Sequence, residues 1–497
     1  MYDGPRMDKL TQEVIPILIL CTVVALVVRR LPKIDVGHSA AFRRRRVLNW
    51  LPLGLTYAFL YMARYNIVEL MNNGVISGKD FGDIDAVGSV VYGLAFLFNG
   101  PLADRLGGRF TILLAAAGAA ACNAAIGFHI GGTGYFHYTS IGFDSHGWPQ
   151  PMQFVAFDTA PPSTGLLTLL FALNMYFQSF GAVAIVKVNA AWFHLRERGT
   201  FGGIFGILIS LGLYLAFDWA PKIASLTSLP WLFYAPAAIL AVFFGLSFLL
   251  VRDTPGQAGV TDFDVQDASS GETGPPDKAL VIIKRMITNR VILVIAFISL
   301  CSGFLRQGIL KWYKTFASGV DLTHTFVYEH WGMVSCAAGI MGGMFAGIIS
   351  DHLFNSRRPP VAVFLFTVLL VGAIAIIPLL SVPVAIGFVI AVMAMAVIGV
   401  HGMLSGVASQ DFGGRRNAGT ATGLIDGFVY FGTALQGFVY ARALPERGSP
   451  EAADVASWYA WPIAMIPMAV IGLILAITVI KAVVTPKPVA TPTSEAR

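Results

Sequence analysis

Arg64 stands in YAFLYMARYNIVELM, residues 57 to 71, among side chains suited to lipid or to the inside of a helix bundle. Arg306, in GFLRQGI, and Lys187, in AIVKVNAAWF, stand in equally apolar surroundings. A cation near the middle of a bilayer costs at least about 2.5–3.5 kcal/mol, so it persists only beside a partner or a watery cavity. Asp426, in TGLIDGFVYFG, is the intramembrane acid that lies away from span ends. One acid does not neutralise these cations, so the interior is net positive and calls for an anion. The planar guanidinium fork matches phosphate or carboxylate bidentately, and the expected chemistry is reversible oxyanion binding. A structural pair with an acid on another helix is the alternative for Arg64. Tyr57 and Tyr61 precede Arg64 by seven and three residues, which places them on its helical face. There they donate hydroxyl hydrogen bonds to the anion or stack beneath a sugar; packing in an interfacial aromatic belt is the alternative for Tyr57.

These residues must be carried by membrane spans. The 497-residue chain is 56% hydrophobic and 12% charged, with a mean hydropathy of +0.69, against about 45–50% apolar and about 25% charged for a soluble domain. Runs of about 20 apolar residues cross the hydrocarbon. Thirteen occur: one at 12–29, six between 47 and 251, and six between 288 and 481. The expected fold is all-α, with two pseudo-symmetric six-helix halves at 43–252 and 288–482. An extra transmembrane helix and a basic cytoplasmic segment occupy 1–42, a flexible Gly-, Pro-, Ser- and acid-rich cytoplasmic linker 253–287, and a cytoplasmic tail 483–497. In the first run the basic residues follow the apolar stretch, a signal-anchor pattern that puts the N-terminus outside. Arg43 to Arg46, DRLGGR (104–109), HLRERG (194–199), Lys278 to Arg290, DHLFNSRRPP (351–360) and GGRR (413–416) all fall on one side. By the positive-inside bias that side is cytoplasmic, and the formal charge of +6 reflects topology rather than a nucleic-acid footprint. Cys21, Cys122, Cys301 and Cys336 all lie in spans, which argues against disulfides and zinc sites.

The halves echo each other. GPLADRLGGR (100–109) follows the second span of the first half and GIISDHLFNSRR (347–358) the second span of the other, and the first span of each half holds one arginine. Repeats of this kind place a substrate site at mid-membrane between two rocking bodies. The Gly-x-x-x-Asp-Arg-x-Gly-x-Arg pattern resembles the loop signature of the major facilitator superfamily, over roughly residues 45–482. Asp104, Arg105 and Asp351 read as gating residues: the carboxylates pair with basic residues or a helix N-terminus in one state and lose that in the other. Ordinary tight turns are the bland alternative.

A closer resemblance, to the organophosphate:phosphate antiporter family, rests on YAFLYMARYN, VVYGLAFLFNGPLADR, VKVNAAWFHLRERGTFGGIFG, GFLRQGILKW and RRNAGTATGLIDGFVYFGTALQG. It implies that Arg64 and Arg306, on the first helix of each half, hold a phosphoryl group. It also places Tyr57, Tyr61, Tyr92 and Tyr430 around the cavity and a basic side chain at Lys187. The chain departs from the family where a helix-4 histidine becomes Ala191, a helix-2 lysine becomes Phe96 and a helix-8 acid becomes Cys336. KWYK adds Lys311, also taken as a substrate contact, and Lys314. Asp426 replaces a small residue and reads as a gating or structural pair, with a substrate contact or proton acceptor as alternatives.

Glycine-rich stretches such as GGIFGILISLGLYL sit inside spans, where small residues let helices approach. No Walker pattern, nucleophile elbow or metal-ligand helix is present, so neither an enzyme nor an ATP-driven pump is expected, and no cofactor or metal. The loop at 131–165 is long for a helix connection; its His137 and His146 fit no metal signature. The expected partners are a small phosphorylated anion, inorganic phosphate and the lipid bilayer, with the extra N-terminal helix available to a partner protein. The leading expectation is a secondary antiporter of a bacterial inner membrane. A membrane sensor with a transporter fold, or a carrier of another organic anion, are the other readings.

Overall fold

The computed structural model describes residues 39–132, 162–194, 198–265, 288–349, 358–404 and 409–480, together with residues 22, 281, 284 and 354. The expected N-terminal helix at 12–29, apart from residue 22, and Asp351, His137 and His146 lie outside the described residues. Among those described, the chain is helical without strands. The first half comprises α1 (Ala40–Tyr65), α2 (Gly78–Leu106), α3 (Gly108–Gly132), α4 (Thr164–Trp192), α5 (Arg198–Tyr214) and α6 (Trp231–Leu250). The second comprises α7 (Arg290–Leu310), α8 (Trp331–Ile348), α9 (Arg358–Leu379), α10 (Pro383–His401), α11 (Ser409–Ala443) and α12 (Ala460–Thr478). Nine helices among the described residues are long and apolar enough to cross a membrane; α1 and α11 are set apart by the polar residues they carry.

Local chemistry sets the helix ends. Ser39 accepts from Phe42 N at 3.1 Å at the start of α1. Ser77 accepts from Asp80 N at 3.0 Å and donates to the Asp80 carboxylate at 2.8 Å, closing a reciprocal cap on α2. Asn289 caps α7 through Val291 N and Ile292 N. α1 stops at Tyr65, a short helix runs from Val68 to Asn72, and the chain turns at Gly74 with φ +71°, a conformation that favours glycine. α5 continues as a π-helical turn, Leu215–Trp219, that holds Asp218.

The halves meet most closely along α2 and α11, which cross on glycines. A Cβ added to Gly100 would lie 2.6 Å from Gly419 O, and one on Gly93 would lie 2.9 Å from Gly427 O. Backbone contact this close is what small residues supply in a bilayer, where no hydrophobic force draws helices together. Polar ties join the halves at both ends. On the face of the basic loops, Asp104 of α2 accepts from Gly419 N, Thr420 N and the Thr420 hydroxyl of α11 at 3.2, 3.0 and 2.8 Å. On the opposite face, the Asp218 carboxylate accepts from Gly332 N and Met333 N, in the first turn of α8, at 2.8 and 2.9 Å. Arg442 meets Asp83 at 2.9 Å there. Polar contacts therefore link the halves on both faces.

The start of the expected flexible linker is docked. Asp253 accepts from Arg109 N at 2.7 Å, Phe263 packs edge-on to Phe42 at 5.5 Å, and Val265 is buried. Its polar composition reads as a tether, but its few apolar residues find the surface left by α1, and its carboxylate covers a free N–H at the start of α3.

Candidate functional site

Arg64 closes α1 one residue before its end, and Arg306 lies one turn before the end of α7. Both are buried, at 4% and 3% exposure, so the two guanidinium groups sit in the protein interior. Their surroundings differ. Arg64 donates from Nε to Gln178 Oε1 at 2.9 Å and from Nη2 to the Tyr92 hydroxyl at 2.9 Å. Its Nη1 donates to the hydroxyl of Tyr430, which belongs to α11 in the other half. Its Cζ lies 4.8, 4.6 and 5.5 Å from the ring centroids of Tyr61, Tyr92 and Tyr430, distances at which ring quadrupoles stabilise a cation. Arg306 lies 6.0 Å from the Tyr430 ring, and its Nε and Nη2 are buried donors without a hydrogen-bond partner.

Tyr430 thus stands between the two arginines, hydroxyl on one and ring toward the other. Its ring lies 3.9 Å from that of Tyr92, and Phe96 packs on both rings at 4.6 and 5.9 Å. Tyr57 and Tyr61 meet edge-to-face at 5.2 Å, and Tyr61 stacks on Tyr65 at 5.8 Å. This aromatic ladder follows from the spacing of four on α1.

Behind Arg64 runs a chain of amides that the sequence reading did not single out. Gln178 Nε2 donates to Asn174 Oδ1 at 3.0 Å, and Asn123 Nδ2 donates to the same oxygen at 3.2 Å. Asn66 Nδ2 donates to Asn123 Oδ1 and to Leu232 O, both at 2.9 Å. The chain ties α1, α3, α4 and α6 behind one guanidinium. The signal for it was present: Asn174 and Gln178 are spaced by four in an apolar helix, so they share a face.

Two cations taken as substrate contacts are committed elsewhere. Lys187 Nζ lies 2.8 Å from Asp104 Oδ1, in the tie at the basic-loop face, nine residues along α4 from Gln178. Lys311 Nζ lies 2.5 Å from Asp85 Oδ1, and this pair from α7 and α2 is fully buried and bridges the halves. Each lysine belongs to an ion pair because an isolated buried ammonium is costly. Asp85 escaped notice because it lies near the span's expected start; α2 in fact begins at Gly78, two turns earlier. With Lys187 and Lys311 paired, the positive interior reduces to Arg64 and Arg306, with Asp426 buried one turn before Tyr430 on α11. Asp104 meets both a lysine and backbone donors, while Arg105 is exposed at the end of α2.

A two-arginine centre floored by tyrosines, each arginine from the first helix of one half, suits a tetrahedral or planar oxyanion shared between the halves. Comparison with known proteins agrees with this architecture. The chain is 26% identical over 450 residues to a glycerol-3-phosphate transporter of Bacillus subtilis, covering 82% of this chain and 89% of that protein. It is 25% identical over 440 residues to the membrane sensor protein UhpC of Escherichia coli, covering 83% and 88%. A probable hexose phosphate transport protein of Chlamydia trachomatis is 23% identical over 469 residues, covering 88% and 91%. These names accord with the organophosphate:phosphate antiporter resemblance. Residues 50–437 match the family model described as Major Facilitator Superfamily, and the chain belongs to that superfamily as an integral membrane protein rather than an enzyme.

Proposed function

We propose that the protein is a secondary transporter that exchanges an organophosphate for inorganic phosphate by alternating access. The observation that carries this reading is the pair of buried, unpartnered donors on Arg306, separated by Tyr430 from an Arg64 that hydrogen-bonds through each of its three nitrogens. An anion that engages Arg306 from the second half and shares Arg64 from the first draws the halves together. Without it, two buried cations repel each other, and rocking is disfavoured. That requirement gives obligatory exchange with no energy source beyond the gradients. The names of the relatives support a sugar or glycerol phosphate as the organic substrate. The basic-loop face is then cytoplasmic, in a plasma membrane of bacterial type.

The test is uptake of labelled inorganic phosphate into phosphate-loaded proteoliposomes. Arg64→Lys and Arg306→Lys each lower exchange by roughly 100-fold, as expected for loss of charge-assisted, bidentate hydrogen bonds. Exchange that survives both substitutions refutes an anion centre at these arginines. A second reading, a membrane sensor of a phosphorylated metabolite, is favoured by the similarity to a membrane sensor protein. It predicts phosphate binding without exchange, with the ligand shifting a conformational equilibrium that another protein reads.

A further inference from the structure

The first half gathers a second group of arginines, at the end of α6 on the basic-loop face. An α-helix leaves its last carbonyls without partners of its own, and three guanidinium groups converge on those of α6. Arg109, in the first turn of α3, donates from Nη2 to Phe248 O at 2.6 Å. Arg252, just past the end of α6, donates from Nη1 to the same oxygen at 3.4 Å and to Val251 O at 2.7 Å. Arg45, near the start of α1, donates from Nη2 to Leu250 O at 2.8 Å.

Helix capping does not account for so much charge. A helix C-terminus presents the equivalent of about half a negative charge, against three guanidinium groups here. Among the described residues no carboxylate pairs with any of the three side chains. Asp253, adjacent in sequence, gives its carboxylate to Arg109 N and so answers the start of α3 instead. Arg252 is close enough to Arg45 for the two charges to repel. Once both helix ends and Asp253 are counted, about two positive charges remain unanswered.

These groups are also within reach of a ligand. Arg45, Arg109 and Arg252 are all partly exposed, and a guanidinium carries five N–H donors, so donors remain after the bonds to α6. The surface beside them is apolar. Phe248, whose carbonyl Arg109 and Arg252 share, is 53% exposed, and its ring lies 5.1 Å from the Arg109 Cζ. Phe110, next to Arg109, and Phe244, one turn back along α6, are exposed on the same helices. A basic rim thus stands over an aromatic wall where two spans leave the bilayer.

That combination identifies the ligand class. A phosphodiester offers its two free oxygens to guanidinium forks, while an aromatic wall at a membrane boundary takes hydrocarbon. One molecule supplies both: a glycerophospholipid. The surplus of positive charge selects one with a net negative head group, as basic pockets between spans do on a cytoplasmic face. A soluble phosphate would use the arginines and leave the wall uncovered. We infer that Arg109, Arg252 and Arg45 hold the head group of an acidic glycerophospholipid, with its acyl chains against Phe110, Phe244 and Phe248. This site lies within the first half and does not depend on the reading of Arg64 and Arg306.

Native mass spectrometry of the purified full-length chain, titrated with phosphatidylglycerol or with phosphatidylcholine of the same acyl chains, tests this. Phosphatidylglycerol should bind at least about fivefold more tightly, and Arg109→Gln and Arg252→Gln should each weaken it about fivefold. Arg290→Gln, which removes one exposed charge from the same face of the other half, should leave binding unchanged. An excess of inorganic phosphate should leave the lipid in place. Equal binding of the two lipids, or an equal loss in Arg290→Gln, reduces the effect to diffuse surface charge and overturns the site. Displacement by inorganic phosphate assigns the arginines to a soluble anion and overturns the lipid. Should the arginine variants fail to fold, a phosphatidylglycerol with a photoreactive acyl chain decides on the parent: it should label the segments around Phe110 and Phe248, and labelling only elsewhere refutes the inference.

Discussion

Arg64 and Arg306 occupy matching places on the first helices of the two halves, yet one hydrogen-bonds through all three of its nitrogens and the other retains two nitrogens without a partner. Sequence symmetry therefore does not extend to energetic symmetry. Arg64 is held on three sides by the Gln178 amide and two tyrosine hydroxyls, and the amide chain from Asn174 to Asn66 locks those partners in turn. Such an arginine is a fixed anchor whose geometry does not wait for a ligand. Arg306 lacks that support, so its buried donors gain most from an arriving anion. On the proposed reading, the first half orients the phosphoryl group and the second responds to it.

The widest separation between the two should come from stability. Arg64→Ala strips acceptors at Gln178, Tyr92 and Tyr430 of their donor and is expected to destabilise the protein by about 3 kcal/mol. Arg306→Ala removes a buried charge with unpaired donors and should change stability by less than about 1 kcal/mol, although it abolishes phosphate binding as thoroughly. Thermal unfolding of the two purified variants in one detergent measures the difference. Equal destabilisation would mean that the two arginines are alike, and the anchor-and-responder distinction would fall.

A smaller effect is expected one contact further out. Gln178→Leu leaves Arg64 Nε without its acceptor and releases the guanidinium from the amide chain. Phosphate affinity should drop about tenfold, while Gln178→Glu, which keeps an acceptor at Oε1, should retain tight hold of Arg64 and weaken the anion by added negative charge. Phosphate titrations that leave Gln178→Leu indistinguishable from the parent would show that Arg64 does not depend on the chain behind it. At the basic-loop face, Asp104→Asn removes the charge that Lys187, Gly419 N and Thr420 N share. Exchange rate should change by about tenfold with phosphate affinity at equilibrium little altered, because the tie acts on rocking rather than on the arginines. A change in affinity equal to the change in rate would place Asp104 at the anion instead.

The legibility of these features in the sequence divides along the same line. Hydropathy outlines most of the spans because a membrane span is a one-dimensional signal: the run at 164–192 coincides with α4, Thr164–Trp192. Intramembrane arginines announce themselves because their cost is high wherever they sit. Pairings are not legible in that way. Lys187 looks like a free cavity cation until its distance to Asp104 is known. Asp85 looks like a residue at a span's edge until the additional turns of α2, Gly78–Leu106, bury it against Lys311. Partners that are far apart in sequence leave no local trace, and neutral amides such as Asn123 and Gln178 carry no charge to draw notice. Composition also misleads at 253–265, where a polar stretch reads as a tether although Asp253 and Phe263 dock it.

Tyr430 offers the finest test, since its hydroxyl meets one arginine and its ring the other. Its hydroxyl accepts from Arg64 Nη1, the position from which a guanidinium fork would bind an anion oxygen, while its ring faces Arg306. On the proposed reading, the hydroxyl competes with the anion for Arg64, and its release accompanies ligand entry. Tyr430→Phe keeps the ring contacts with Tyr92 and Phe96 and removes only the competing oxygen. The ligand-free protein should lose about 1 kcal/mol of stability, and phosphate affinity should stay the same or rise by up to about fivefold, because Nη1 becomes available without displacement. Thermal unfolding with and without phosphate reads both quantities on one sample, and the ligand-induced stabilisation should be larger in the variant than in the parent. A fall in affinity of 100-fold or so would mean that the hydroxyl donates to the anion directly. Arg64 would then not be a finished anchor; Tyr430 would be a third arm of the centre, contributed by the same half as Arg306, and the asymmetry between the two halves would largely disappear.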